Sequence, residues 1–485
     1  MASVEPVGAA DVTFDHECDV LVVGFGAAGA AAAQEAAAAG ADVLVLERSS
    51  GPGGTSAQSG GELYLGGGTE VQKACGFDDT PDDMFAFLKA ALGPHADEEK
   101  LRLYCDGSVE HFEWFRACGV PFKPTLFEKP GWMPYTEDGL MWLGENAWPY
   151  NTIAKPAPRG HRPATTMFAG GILMEKLIGA ATAAGAVAHQ DTVATNLVVE
   201  DGRVVGVVAR KFSDRVVYRA RRGVVLTTGG FVDNEDMLAD HAPILLGHDK
   251  VSDGTSDGSG IKIATAAGAA TRRMASVEIA LTANPAVICR GMLVDGLGQR
   301  FINEDVYPGL FSHKAVQHRT GPFWAIIDEA GYEDIDEADM WGVRPVHAGE
   351  TATELAESLG LPPGALEATI ETYNRHAEQG EDPYFHKDAK WLRPLKGPFA
   401  AIDPRDGFFG AGRMGAGTGA GGFTLGGLHT TVDGEVLNNS GERITGLYAA
   451  GRTASGIHGE GYISGTSLGD GTFFGRRAGR KAAGG

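Results

Sequence analysis

Residues 19–23 (DVLVV) form a short unbroken apolar run, the pattern of a strand buried on both faces. Gly24-Phe25-Gly26-Ala27-Ala28-Gly29 follows, and then an alanine-rich stretch that predicts a helix to Ala39, with Gly40 as its stop. A second apolar run, 43–46, ends in Glu47. Further on, 224–231 (VVLTTGGF) reads as a strand ending in Thr228-Gly229-Gly230, and 446–452 (GLYAAGR) as one ending in Gly451-Arg452. Between about 277 and 413 glycine thins out and helical text takes over. Helices are predicted over 352–359 and over 366–379, the latter with apolar residues at Leu366, Ile370 and Tyr373. After Arg413 the glycine-rich text resumes.

Strand–turn–helix–strand–acid is an arrangement with a physical purpose. Gly24 makes the tight turn, Gly26 lets a pyrophosphate approach the backbone, and Gly29 lets helix and strand pack closely. The helix N-terminus then faces phosphate charge. Glu47, 23 positions after Gly24, is placed to accept hydrogen bonds from a ribose diol, and its charge disfavours a 2′-phosphate. A second G-x-G-x-x-G, at Gly410, Gly412 and Gly415, follows no apolar strand and reads as loop. One dinucleotide is therefore expected, serving as the redox cofactor itself.

Composition narrows the classes. The chain has 485 residues, 71 of them glycine, with 43% hydrophobic and 21% charged positions, so it can bury a large core. Its net charge of −22 argues against nucleic acid or an anionic membrane as partner, leaving at most peripheral membrane contact. The five cysteines, at 18, 75, 105, 118 and 289, never fall in a C-x-x-C spacing, and no metal site is expected. Met1–Cys18 shows no signal-peptide pattern, and the stretch 20–39 is interrupted by glycines and by Gln34 and Glu35, so a reducing cytoplasm is the expected compartment.

Residues 19–48, 50–68, 224–231 and 446–452 together resemble the FAD-binding domain of the fumarate reductase/succinate dehydrogenase flavoprotein family, over nearly the whole chain. The resemblance implies an α/β fold, a Rossmann-type FAD-binding domain interrupted by an α+β capping domain. It divides the chain into 1–275 and 413–485 for the FAD domain and 276–412 for the cap. FAD contacts are implied for Gly24, Gly26, Ala28, Gly29, Glu47 and Arg48 in the first unit. The loop after it brings Gly53, Gly54, Thr55, Ser56, Ser59, Gly60 and Gly61. Thr228, Gly229 and Gly230, then Gly451, Arg452, Ser467 and Leu468, approach from the other side. The succinate dehydrogenase branch tethers its flavin through a histidine in the first of these loops; 51–61 holds none, so FAD is expected to be non-covalent.

The reacting face departs from the fumarate reductases. Their H-G-x-N-R-L-G-G-N segment aligns with 458–466 (HGEGYISGT), which puts Tyr462 at the position of the carboxylate-gripping arginine. Phe423 stands where a second carboxylate ligand, a histidine, precedes T-x-G-G. Loss of a full charge and a planar fork removes the main grip on a small dianion. Tyr462-Ile463-Ser464 instead resembles the 3-ketosteroid dehydrogenases, the Δ4-(5α) branch more than the Δ1 branch. Within 300–307 (RFINEDVY), Tyr307 matches the tyrosine those enzymes bring to the flavin face.

The chemistry fits those residue types. Desaturating a ketone needs an α-proton removed and a β-hydride delivered to a flavin. Tyr462 is expected to stabilise the enolate at the C3 oxygen. Ser464 is expected to take the C4 proton and pass it to Tyr307, a relay towards solvent, which requires lowered pKa values, since a free tyrosine titrates near about 10. Ser467-Leu468-Gly469-Asp470 has the spacing of a capping box with Asp for Glu, predicting a helix aimed at the flavin. Trp132, Tyr135, Trp142, Trp148 and Tyr150 suit either an apolar wall for a steroid nucleus or the core. His161, His429 and His458 read as hydrogen-bonded loop histidines. The resemblance thus implies introduction of a C4–C5 double bond into 3-keto-5α-steroids, with electrons passing to a separate or diffusible acceptor. A Δ1-dehydrogenase, a reductase of an unsaturated acid such as urocanate, and a flavin-binding protein without steroid turnover remain the alternatives.

Overall fold

The apolar run at 19–23 lies in strand β1 (His16–Val23), where Val20, Leu21 and Val22 have no exposed surface. The computed structural model describes residues 4–130, 134–281, 284–318, 322–340, 344–404 and 420–484. A strand without a polar face must be covered on both sides. Helix α1 (Ala27–Ala38) leaves β1 through the glycine turn and supplies one cover, and β2 (Val43–Leu46) pairs parallel with β1. Helix α2 (Gly170–Ala183) leads to β3 (Val187–His189), which extends the parallel set. β4 (Thr192–Glu200), β5 (Arg203–Lys211) and β6 (Asp214–Leu226) then run as an antiparallel meander. Its last strand, β6, lies parallel to β1.

β7 (Val277–Leu281) leaves this sheet, and a four-stranded antiparallel sheet follows. It is built from β8 (Met292–Asp295), β9 (Phe323–Asp328), β10 (His347–Gly349) and β11 (Phe399–Ile402), in the order β8-β9-β11-β10. Helix α3 (Pro308–His318) lies between the first two strands, and α4 (Ala352–Leu359) and α5 (Ala365–Ala377) between the last two, close to the expected spans. Leu366, Ile370 and Tyr373 face Met292, Val294 and Ile326 in a small core of their own. β12 (Ala420–Thr424) pairs antiparallel with β7, setting Phe423 opposite Glu278. β13 (Arg443–Ala449) rejoins the main sheet parallel to β6, and α6 (Thr466–Ala482) closes the fold. The second glycine motif at Gly410–Gly415 falls outside the described residues. Among the described residues no helix is long and apolar enough to cross a membrane.

α6 lies directly on α1 because α6 presents glycines, and α1 alanines, at a four-residue interval. A Cβ added at Gly475 would sit 2.5 Å from the Ala28 carbonyl oxygen, and one at Gly479 2.2 Å from that of Ala32. Arg476 and Arg480 clamp the pair by donating to Glu35, each through Nε at 2.7 Å. Gly479→Ala is therefore expected to destabilise the protein by ~1–3 kcal/mol through overpacking. Helix propensity alone favours the opposite sign by about 1 kcal/mol. The urea midpoint decides between them; a raised midpoint would show that the two helices are free to separate.

The predicted capping box does not form. α6 starts at Thr466 with Gly465 as N-cap at φ 85°, so Ser467 already lies in the first turn. Asp470 faces inward, where its Oδ1 accepts the Ile457 amide at 3.1 Å. Burial, against the pull of Lys100, pushes the Asp470 carboxyl up to about 7. The tight reversal at Gly465 starts the helix early and leaves Asp470 to satisfy a loop amide instead of a helix end.

Candidate active site

The turn after β1 forms one wall of an open cleft of about 970 Å³. Gly24 has φ 101°, and a Cβ there would meet the Thr227 carbonyl oxygen at 2.5 Å. Gly26 caps α1, and the first helical amide, at Ala27, reaches Ser56 Oγ at 3.3 Å. Glu47 is fixed at the cleft by two backbone donors, Phe25 N–H at 2.9 Å and Ser49 N–H at 2.8 Å. Arg48 donates to the Thr255 carbonyl at 2.8 Å and pairs with Asp257 at 3.0 Å. Gly54, Thr55, Thr228, Gly229, Gly451, Arg452, Ser467 and Leu468 complete the part of the lining expected from sequence.

Six of the residues assigned to the cofactor do not line the cleft: Ser59 and Gly60 line the cavity that adjoins it, and the other four serve close packing between segments. A Cβ at Gly29 would come within 2.0 Å of Gly24 O, at Gly61 within 2.6 Å of the Ala169 carbonyl carbon, and at Gly230 within 2.3 Å of Thr424 Oγ1. Gly53 spends its amide on Phe25 O at 2.9 Å. Sequence reasoning missed Asp253, which accepts from Thr55 Oγ1 at 3.0 Å, and the strand residues Thr192–Ala194. Asp253 sits in a glycine-bearing run, 252–260 (SDGTSDGSG), which is a signal that could have found it, whereas nothing comparable marks 192–194.

Thr55, Ser56, Arg452, Ser467 and Leu468 also line a second cavity, of about 1010 Å³, that continues the cleft. Ser59 and Gly60 from the predicted loop lie in it. Tyr462, Ser464 and Tyr307 converge here although 157 positions separate Tyr307 from Ser464 in sequence. The Tyr307 hydroxyl and Ser464 Oγ are 2.7 Å apart, and the Ser464 amide donates to the same phenol oxygen at 3.0 Å. The Tyr462 ring is held edge-on by Phe423, centroids 5.4 Å apart, and stacked on His458 at 5.6 Å. His458 binds Thr466 Oγ1 at 2.9 Å, and burial lowers its imidazole to about 3, so it stays neutral.

For the two tyrosines the expectation of lowered pKa values is overturned. Burial, reinforced by the nearby Glu278 carboxyl, pushes both Tyr307 and Tyr462 well above the usual tyrosine range. In a cavity this dry the phenolate is the costly form, so both groups act as hydroxyls. Two carboxyls missed by sequence reasoning, Glu62 and Glu278, also line the cavity. Burial raises Glu62 against the pull of Arg162, whose Nε is 3.5 Å away. Glu278, raised by burial to about 8, was legible as the one charged residue within the apolar strand 277–281.

The aromatic group at 132–150 does not supply the cavity wall. Trp132 lies outside the described residues. Tyr135 packs on Phe127, Trp142 on Phe77, Trp148 on His386 and Tyr150 on Phe87, four separate contacts away from this lining. Phe168, Val251, Ala280 and Phe423 form the apolar wall instead. His161, bound to Thr69 Oγ1 at 2.8 Å, and His429, 3.2 Å from Arg272, are hydrogen-bonded as expected. Among the described residues no group of three or more His, Cys, Asp or Glu side chains could hold a metal.

The first cleft fits a dinucleotide on its own geometry. A helix N-terminus, bare glycine backbone and a carboxylate fixed by two amides line a single groove that runs to the catalytic candidates. Residues 19–468 match the model of the FAD-binding-domain family. The chain is 29% identical over 540 residues to a 3-oxosteroid 1-dehydrogenase of Mycolicibacterium smegmatis, covering 92% of this chain and 94% of the relative. It is 28% identical over 478 residues to an NADH:fumarate oxidoreductase of Klebsiella pneumoniae, covering 96% of this chain but only 47% of that longer protein. The crystal structure of a 3-ketosteroid Δ4-(5α)-dehydrogenase from Rhodococcus jostii RHA1, in complex with 4-androstene-3,17-dione, superposes with a TM-score of 0.94 at 49% identity over 99% of both chains. With its dinucleotide cleft, its Tyr–Ser–Tyr cavity and that full-length likeness, the chain belongs to the FAD-binding flavoproteins and, among them, to the family of the 3-ketosteroid Δ4-(5α)-dehydrogenases.

Proposed function

We propose that this protein is an FAD-dependent dehydrogenase that introduces a C4–C5 double bond into 3-keto-5α-steroids, holding its FAD without a covalent link. The observation that carries this reading is the Tyr307–Ser464 hydrogen bond set beside Tyr462 in an apolar-walled cavity that opens off the dinucleotide cleft. The 49% identity to an enzyme crystallised with a 4-ene-3-ketosteroid supports the choice of C4–C5.

Bound FAD supplies the acceptor for the hydride that leaves C5. The α1 N-terminus and the turn at 24–28 would hold its pyrophosphate, Glu47 its ribose diol, and Arg48, Thr55, Ser56, Thr228, Gly229, Gly451 and Arg452 would line its length. Tyr462, clamped between Phe423 and His458, donates its hydroxyl to the C3 oxygen where charge develops. Ser464 takes the C4 proton and hands its own to Tyr307. Phe168, Val251, Ala280 and Phe423 bury the steroid's apolar surface and exclude water. Residues 276–412 act as the cap, in keeping with their separate sheet and with Tyr307 arriving on the segment that enters α3. In this reading electrons leave to a separate or diffusible acceptor. The work takes place in a reducing cytoplasm, which suits five free cysteines.

Anaerobic mixing of the holoprotein with 5α-androstane-3,17-dione is expected to bleach the flavin and release a 4-ene product. Bleaching by 4-ene-3-ones alone moves the reaction to C1–C2. Reoxidation of pre-reduced flavin by fumarate or urocanate, with no response to any steroid, defeats the proposal.

A further inference from the structure

A relay of two hydroxyls moves a proton but cannot keep one. Each hydroxyl that accepts must donate onward, and neither Ser464 nor Tyr307 can store the result as an anion or cation in so dry a place. The chain ends either in solvent or in a protein group able to take up a proton, and Tyr307, 4% exposed, favours the second. Glu278 stands at that end. Its carboxyl and the Tyr307 ring both lie against Gly309: a Cβ built there would lie 3.0 Å from Glu278 Oε1, 2.5 Å from Tyr307 Cε1 and 3.2 Å from Tyr307 Cζ, the carbon that bears the hydroxyl. Glu278 is 2% exposed, and its Oε2 has no hydrogen-bond partner among the described residues. A buried carboxyl oxygen left unpaired is costly for stability, and such exceptions ask for a reason.

We infer that Glu278 is the acceptor of the substrate proton after Ser464 and Tyr307, a role that rests on the desaturation reading above. Ser464 Oγ takes the C4 proton and gives its own to Tyr307 Oη, and the phenol proton passes to a Glu278 carboxylate oxygen. One C–H bond is broken and one O–H bond is formed. The C4–H electron pair enters the enolate and becomes the C4–C5 double bond as the C5 hydrogen leaves with its own pair for FAD. Glu278 touches neither steroid nor flavin in this scheme and works through Tyr307.

The groups around Glu278 leave it free to titrate. From α3 it is faced by His313, whose Nε2 is 3.8 Å from Glu278 Oε2, while Tyr307 comes from the segment entering that helix. From β12 it meets Phe423 and Thr424, which carry no charge. Across the cavity lie Tyr462, Glu62 and Arg452. Burial lowers the His313 imidazole, so it adds no positive charge at working pH. Burial places the Glu278 carboxyl at about 8, which matches a proton acceptor for near-neutral conditions. Below that pH the carboxyl is already protonated and cannot accept; above it the carboxylate is ready. The rate of flavin bleaching by 5α-androstane-3,17-dione should therefore rise with pH and level off above about 8.

Glu278→Gln, studied as holoprotein, is expected to keep its flavin spectrum and steroid affinity, to lose this rising limb, and to bleach ~10²-fold more slowly at the plateau. Glu278→Asp should restore the limb. Independently of turnover, infrared titration of the oxidised holoprotein should show a protonated-carboxyl band that disappears through about pH 8 and is missing in Glu278→Gln. A Glu278→Gln protein with the wild-type limb and plateau, or a wild-type protein without that band, overturns the inference. If no 3-ketosteroid bleaches the wild type, the desaturation reading has failed and takes this role with it, whatever the infrared titration gives.

Discussion

Tyr462→Phe is expected to lower kcat by ~10²–10³-fold while FAD and steroid still bind, because one hydrogen-bond donor at a developing oxyanion is worth that much. The substitution isolates the hydroxyl. The ring sits between Phe423, at an interplanar angle of 89°, and His458, at 26°, and phenylalanine preserves both contacts. Burial first, then the Glu278 and Glu62 carboxyls, hold the phenol proton on at any working pH, so the group donates and does not act as a base. Steady-state kinetics beside a flavin-to-protein ratio checks this. A kcat within a few-fold of wild type would remove Tyr462 from the mechanism and leave the C3 oxygen to other donors.

Asp79→Ala should cost ~3–5 kcal/mol, the usual consequence of stranding one member of a buried ion pair. Arg159 and Asp79 each have fully buried side chains, and Arg159 donates through Nη2 at 2.6 Å and Nε at 3.0 Å. The same carboxylate accepts from Gln72 Nε2 at 2.9 Å and from the Gly67 amide at 2.8 Å. Removing it strands the guanidinium and the Gly67 amide near the loop that carries Tyr64, while Gln72 keeps the Pro158 carbonyl at 2.9 Å. That loop supports the start of α6: a Cβ at Gly465 would lie 2.5 Å from Tyr64 N. By contrast Glu98→Ala breaks an exposed 2.9 Å pair with Lys89 and should cost about 0–1 kcal/mol. Urea midpoints of the two variants measured side by side give the comparison. Equal midpoints would mean that the buried network relaxes or admits water.

What could be read along the chain was whatever depends on neighbours in sequence. The turn at Gly24–Gly29, the strands that flank it and Glu47 at the end of the second are set by local spacing, and the structure places them as expected. Tyr307, Ser464 and Tyr462 were reached through resemblance, and the fold does bring them into one cavity. The capping box was misread because its four residues agree locally while the reversal at Gly465 depends on the packing against Tyr64. The choice between wall and core for the aromatic group stayed open in the sequence for the same reason: ring partners such as Phe77 and Phe87 come from other segments.

The glycine excess draws the line between the two sources. From the order of residues alone it was clear that bare backbone is grouped into a dinucleotide-binding turn and several loops, since a turn with φ near 100° has to be glycine wherever it lies. Which glycines face the cofactor cleft was a tertiary matter. Gly26 and Gly229 line it, while Gly29 makes room for the Gly24 backbone and Gly230 for the Thr424 side chain, as Gly475 and Gly479 make room for the α1 backbone. The charge state of the site was tertiary too. Tyr307 and Glu278 are ordinary titrating groups in a chain in water. Only when the fold removes that water does the phenol stop being an acid and the carboxyl become a proton acceptor for neutral pH, since the cost of a buried charge depends on its surroundings and not on the sequence beside it.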